Sequence, residues 1–172
     1  ERDIFVVKYD PNGNVLWAKA AGGTDREVGS SISTDADGNV LVTGTFESSS
    51  ITFGSTILTN AGSVDLFVVK YDPNGNVLWA KAAGGTSGDY GKGISTDASG
   101  NVLVTGYFES SSITFGSTTL TNASNEDVFV LKYDPNGNVL WAKSAGGTSG
   151  AEGIGISTDA SGNVLVTGYF ES

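Results

Sequence analysis

The chain repeats itself every 62 residues. Asp3-Ile4-Phe5-Val6-Val7-Lys8-Tyr9-Asp10 recurs over Asp65 to Asp72 and again over Asp127 to Asp134. A unit of that length cannot bury its own faces, so copies must stack to make a core. Each unit opens on a β-branched and aromatic run, Ile4 to Tyr9, bounded by Asp. Asp10-Pro11-Asn12-Gly13 follows, in which Pro presets φ and Gly takes the left-handed position, so Asn14 to Ala20 returns as a hairpin. After Gly22-Gly23 and a polar loop, Ser31 to Thr34 and Asn39 to Gly44 flank a second turn, Asp35-Ala36-Asp37-Gly38. A longer stretch, Glu47 to Val64, holds a further hairpin at Ile51 to Leu58, inserted between the two main ones. No segment carries the i, i+3, i+4, i+7 pattern of a helix.

Composition agrees. Twenty-five glycines and three prolines among 172 residues fit short strands and frequent tight turns. A net charge of −10 repels phosphate backbones and anionic membranes, so nucleic acid and lipid headgroups are poor partners. No apolar run approaches the roughly 20 residues that span a bilayer, and membrane insertion is not expected. The sequence has neither cysteine nor histidine. Disulfides, thiolate chemistry and the commonest general base and metal ligand are therefore absent, and no cofactor is implied.

The fold expected is all-β, a β-propeller of four-stranded antiparallel blades. A β-solenoid is the competitor, but its coils run about 20 to 30 residues with parallel pairing, whereas strands joined by tight turns are antiparallel. The chain divides into a half-blade at 1–24 (third and fourth strands), blades at 25–86 and 87–148, and a half-blade at 149–172 (first and second strands). The motif Asp65-x-Phe67-Val68-x-Lys70-Tyr71-Asp72-x-x-Gly75-Asn76-x-x-Trp79, then Gly84-Gly85, then Ile94-x-x-Asp97-x-x-Gly100-Asn101-x-x-Val104-Thr105-Gly106, resembles the bacterial SBBP-type β-propeller repeat. The resemblance covers essentially the whole chain. It implies a part of a secreted or cell-surface protein, and brings no catalytic residues with it.

Three blade equivalents cannot close on themselves, because propellers take at least about four blades. Two chains head to tail would give a six-bladed C2 ring with composite closing blades; a fragment of a longer propeller is the alternative, as is a symmetrised assembly unit, natural or engineered. Catalysis is not expected. A glycosidase built on paired carboxylates ranks last, since no acidic pair stands out from the repeated turns.

The Asp-x-x-Gly-Asn turns at Asp10, Asp35, Asp72, Asp97, Asp134 and Asp159 faintly resemble Ca²⁺ loops. Gly falls too early and no distal Glu is in register, so turn capping is the reading and no metal is assigned. Trp17, Trp79 and Trp141, with Phe5, Phe67 and Phe129, recur at the repeat period and read as inter-blade core rather than sugar platforms. Lys8, Lys70 and Lys132 read as solvated. The units differ chiefly at Asp25 to Ser31 and its counterparts, and at Ala61 to Val64 against Ala123 to Glu126, with Glu1-Arg2 in the matching place. In an up-and-down blade both links emerge on one face, so a ligand or partner would meet Arg26, Glu27, Asp89, Tyr90, Lys92, Glu152 and Ile154.

Overall fold

The computed structural model describes residues 1–171, and every regular element among them is a strand. The first unit comprises β1 (Ile4–Tyr9), β2 (Val15–Ala21), β3 (Glu27–Thr34), β4 (Val40–Phe46), β5 (Ser50–Phe53) and β6 (Thr56–Thr59). The pattern recurs in β7 (Asp65–Tyr71), β8 (Val77–Ala83), β9 (Asp89–Thr96), β10 (Val102–Phe108), β11 (Ser112–Phe115) and β12 (Thr118–Thr121), and continues through β13 (Asp127–Tyr133), β14 (Val139–Ala145), β15 (Ala151–Thr158) and β16 (Val164–Phe170). Two four-stranded sheets, β3-β4-β7-β8 and β9-β10-β13-β14, are antiparallel throughout; β1-β2 and β15-β16 form two-stranded sheets.

Local chemistry sets the register. In the first turn the Gly13 N–H donates to the Asp10 carbonyl at 3.0 Å, and Gly13 sits at φ +85°, a conformation that L side chains resist. The Asp10 N–H donates to the Asn14 carbonyl at 2.8 Å, so the loop closes on a glycine bulge, one of the common three-residue hairpins, and a second irregularity between Lys8 and Tyr9 leaves Leu16 unpaired.

Successive sheets stack face to face. Strand β9 lies between β3 and β15, and the Thr96 hydroxyl donates to the Thr34 carbonyl at 3.0 Å while Thr158 does the same to Thr96. Hairpins β5-β6 and β11-β12 act as wedges at the periphery, where diverging sheets leave space. Ile51, Phe53 and Leu58 are buried there, with the Phe53 ring 5.1 Å from that of Phe67. Each such side chain contributes about 1.5–3 kcal/mol by leaving water.

The aromatic positions expected in the core divide by location. Phe67 and Phe129 are fully buried. Trp17 and Trp79 are half-buried between sheets, each ring tilted against a tyrosine of the next unit (Tyr71, Tyr133), and their indole N–H groups donate to the Pro73 and Pro135 carbonyls. Trp141 is half-buried without such a neighbour, and Phe5 is exposed, because the β4-like strand and wedge that cover Phe67 have no counterpart beside β1. The solvated reading of the lysines is overturned at Lys132, mostly buried and paired at 2.8 Å with Asp97, and most fully at Lys70. Its ammonium is buried, 2.9 Å from Asp35 Oδ2, and donates to the Pro135 carbonyl. The aliphatic stem satisfies the strand pattern while the charged tip crosses to a turn.

Candidate functional site

The two ends of the sheets differ in kind. At one end, six near-identical turns satisfy themselves. Asp10 Oδ1 accepts from the Asn12 and Asn14 backbone N–H groups and Oδ2 from the Asn14 side-chain amide, and the same three bonds recur at Asp35, Asp72, Asp97, Asp134 and Asp159. Those bonds, led by the Asn14 side-chain amide, hold the Asp10 carboxyl below its usual range. At Asp97 burial works upward, but the Lys132 ammonium at 2.8 Å and the Asn101 amide outweigh it and hold the pKa at about 2. These carboxylates cap turns.

At the other end the variable segments meet. The 1–2 and 61–64 segments run beside the loops leading into β3 and β9, as parallel bridges Arg2 to Arg26 and Val64 to Gly88. Glu27 and Asp89 donate their backbone N–H groups to the Arg2 and Val64 carbonyls, and Ala151 does so to Glu126. Both sets of sequence differences therefore converge on one surface.

Glu27 and Asp89 face inward on this surface. The Glu27 carboxylate accepts from the Gly23 N–H and the Ser48 hydroxyl, and Asp89 from the Gly85 N–H and the Ser110 hydroxyl at 2.7 Å. Both are buried. They fasten the loop to the strand that follows, which is positioning rather than display. Ala151 stands at that place in the third unit.

Half-buried and exposed groups gather around β9, over the buried Tyr107. Tyr90 stacks on Tyr107, ring centroids 4.6 Å apart and 21° from parallel, and the Lys92 ammonium lies 5.4 and 5.2 Å from the two rings. Lys92 is presented by a β-bulge: Gly91 pairs with Gly106 and Gly93 with Thr105, leaving Lys92 unpaired. Ser30 and Ile154 occupy the same bulge in their units, and Ile154 is exposed. Arg26 reaches Glu47 at 3.6 Å, and the Tyr169 hydroxyl donates to Glu152. Burial, followed by the charges of Glu109 and Glu47, pushes the Tyr90 phenol up; burial, followed by Glu152, Glu109 and Glu171, pushes up Glu126. Sequence reasoning missed Tyr107, Tyr169 and Glu109, and placed Glu126 in a variable segment without naming it as a site residue. The signal was there in Thr45, which Tyr107 and Tyr169 replace, and in Val64, which Glu126 replaces.

One buried carboxylate has a titration consequence. Asp65 Oδ2 accepts the Ala61 N–H at 2.8 Å, while Oδ1 is buried with no hydrogen-bond partner among the described residues; in the next unit the Ser124 hydroxyl serves Asp127 Oδ1 at 3.1 Å. Burial, with the Asp89 charge and against the Ala61 N–H, raises Asp65 to about 6. The folded state then holds the proton more tightly than the unfolded chain, so stability declines as pH climbs from about 4 to about 6. Asp65→Asn is expected to flatten that slope and add about 1–3 kcal/mol at pH 7. Urea midpoints across pH 4–7 measure it, and an unchanged slope would refute the assignment.

No family model matches the chain. It is 30% identical over 199 aligned residues to an uncharacterized WD repeat-containing protein, L264, of Acanthamoeba polyphaga mimivirus, covering 98% of this chain and 14% of that one. It is 28% identical over 141 residues to the regulatory protein FlaEY of Caulobacter vibrioides, covering 80% of this chain and 15% of that one. The chain thus spans about one seventh of the length of these curated relatives. A crystal structure of a protein of unknown function from Bacteroides caccae aligns at TM-score 0.49 and 13% identity, covering 96% of this chain and 50% of that one. Similarity to a WD-repeat protein, together with the antiparallel four-stranded sheets, fits propeller-like blades.

Proposed function

We propose that the chain is a non-catalytic scaffold of SBBP-like propeller blades that offers its variable face to a basic protein segment. It assembles head to tail through its open half-sheets, two chains making a six-bladed ring. The observation that carries the binding reading is the convergence of the variable segments on one surface, where Tyr90 and Tyr107 stand among Glu47, Glu109, Glu126 and Glu152, while the other end is tied up in self-capped turns. Burial, followed by the charges of Glu152, Glu109 and Glu171, pushes the Glu126 carboxyl up, which marks a concentration of negative charge here, and tyrosine faces attract cations, as Lys92 already demonstrates.

Fluorescence anisotropy with a labelled peptide rich in lysine and arginine, against the same peptide with serine at those positions, tests it. Binding is expected for the basic peptide alone, weakening about tenfold or more between 50 and 500 mM salt and at least about threefold in Glu126→Gln with Glu152→Gln. No binding, or binding indifferent to both changes, would sink the reading.

A further inference from the structure

Strands β10 and β16 have the same sequence, Val-Leu-Val-Thr-Gly-Tyr-Phe, in opposite environments. β10 is buried at every position between β9 and β13, whereas β16 pairs only with β15 and is exposed at six of its seven residues. β1 shares Phe-Val-Val-Lys-Tyr with β7, which is buried throughout, but pairs only with β2 among the described residues and leaves Phe5 and Tyr9 exposed. Phe170 is 80% and Phe5 77% exposed, while their counterparts Phe46, Phe108, Phe67 and Phe129 are at 0%. Such an apolar strand edge is a template for another strand.

The complete sheets show what fits there. β4 pairs with β7 from Val40 opposite Tyr71 to Phe46 opposite Asp65, and β10 with β13 in the same register. We infer that β16 of one copy pairs antiparallel with β1 of a second, Val164 opposite Tyr9 and Phe170 opposite Asp3. This completes a sheet in the order β15-β16-β1-β2, and it rests on the head-to-tail reading above.

Polar groups left half-satisfied find partners in that register. Lys8 already donates to the Pro73 carbonyl at 3.1 Å, as Lys70 does to Pro135. Lys70 also meets Asp35 and Lys132 meets Asp97, and the turn aspartate in the matching place for Lys8 is the partner's Asp159. Tyr9, exposed here, takes the place of Tyr71 and Tyr133 against the partner's Trp141, whose indole N–H reaches the Pro11 carbonyl as Trp17 reaches Pro73. A second copy is the occupant because each group it must meet is one that the chain already meets within itself.

The chain contains no cysteine, so an introduced pair reports one contact. In the proposed register Val166 lies opposite Val7. Val7→Cys with Val166→Cys is expected to oxidise to a covalent dimer, while Val6→Cys with Val166→Cys, whose side chains point to opposite faces, is not. Sedimentation of the unaltered chain runs alongside. A dimer that cross-links only through the first pair supports both the register and the ring; a ladder of cross-linked species supports the register and refutes the ring. A dimer with no selective cross-link overturns the register while leaving assembly standing. A particle of 17.6 kDa overturns both.

Discussion

Alanine at Gly106 is expected to destabilise the protein by about 3 kcal/mol or more, lowering the thermal midpoint by roughly 6–12 °C. An added Cβ would stand 1.8 Å from the Tyr90 carbonyl oxygen and 2.9 Å from the Phe129 ring. Neither neighbour has room to retreat. The Tyr90 carbonyl belongs to β9 just before the bulge that presents Lys92, and Phe129 is fully buried with its ring 5.2 Å from that of Phe115. Gly13→Ala is the control. Its φ is positive but the space around it is open, so the cost is only the left-handed backbone, about 1–2 kcal/mol. Differential scanning calorimetry of both variants decides the matter; a Gly106→Ala midpoint no lower than that of Gly13→Ala would refute the steric account.

Replacing Lys70 by Met is expected to cost about 3–5 kcal/mol, the usual penalty for stripping one partner from a buried ion pair. The side chains of Lys70 and Asp35 are 4% and 3% exposed, and the pair spans two elements of one sheet, a strand and the turn between β3 and β4. Without the ammonium, Asp35 keeps its Asn39 bonds but loses the charge that helps hold its carboxyl below the ordinary range against burial. Its pKa then climbs, and the loss should shrink as pH falls far enough to protonate it. Urea denaturation at pH 7 and pH 4 reads both effects. A cost below about 1 kcal/mol at pH 7 would show the pair to be dispensable.

That ion pair marks where sequence reading ended. The strands, their turns and the grouping of variable residues were legible, because period-two patterning and Asp-x-x-Gly chemistry act within a few residues along the chain. The partners of Lys70 were not, since Asp35 reaches it through the pairing of β4 with β7 and Pro135 through the stacking of the next sheet. Glu27 and Asp89 show the same limit. Variation marked them as candidates for display, but whether a carboxylate turns inward depends on Ser48 or Ser110 arriving from the far end of the next strand. Tyr107 failed differently: in one unit it looks like an ordinary strand residue, and only its stacking on Tyr90 across the ladder shows its place in the site.

The bulge shared by Ser30, Lys92 and Ile154 gives the architecture an unusual freedom. Because the extra residue is excluded from the ladder, its identity is decoupled from the pairing that specifies the fold. Serine, lysine and isoleucine have already occupied it with the flanking pairs unchanged. Duplication of the unit therefore multiplies addresses at which chemistry can diverge without renegotiating the scaffold, one for each copy of the repeat.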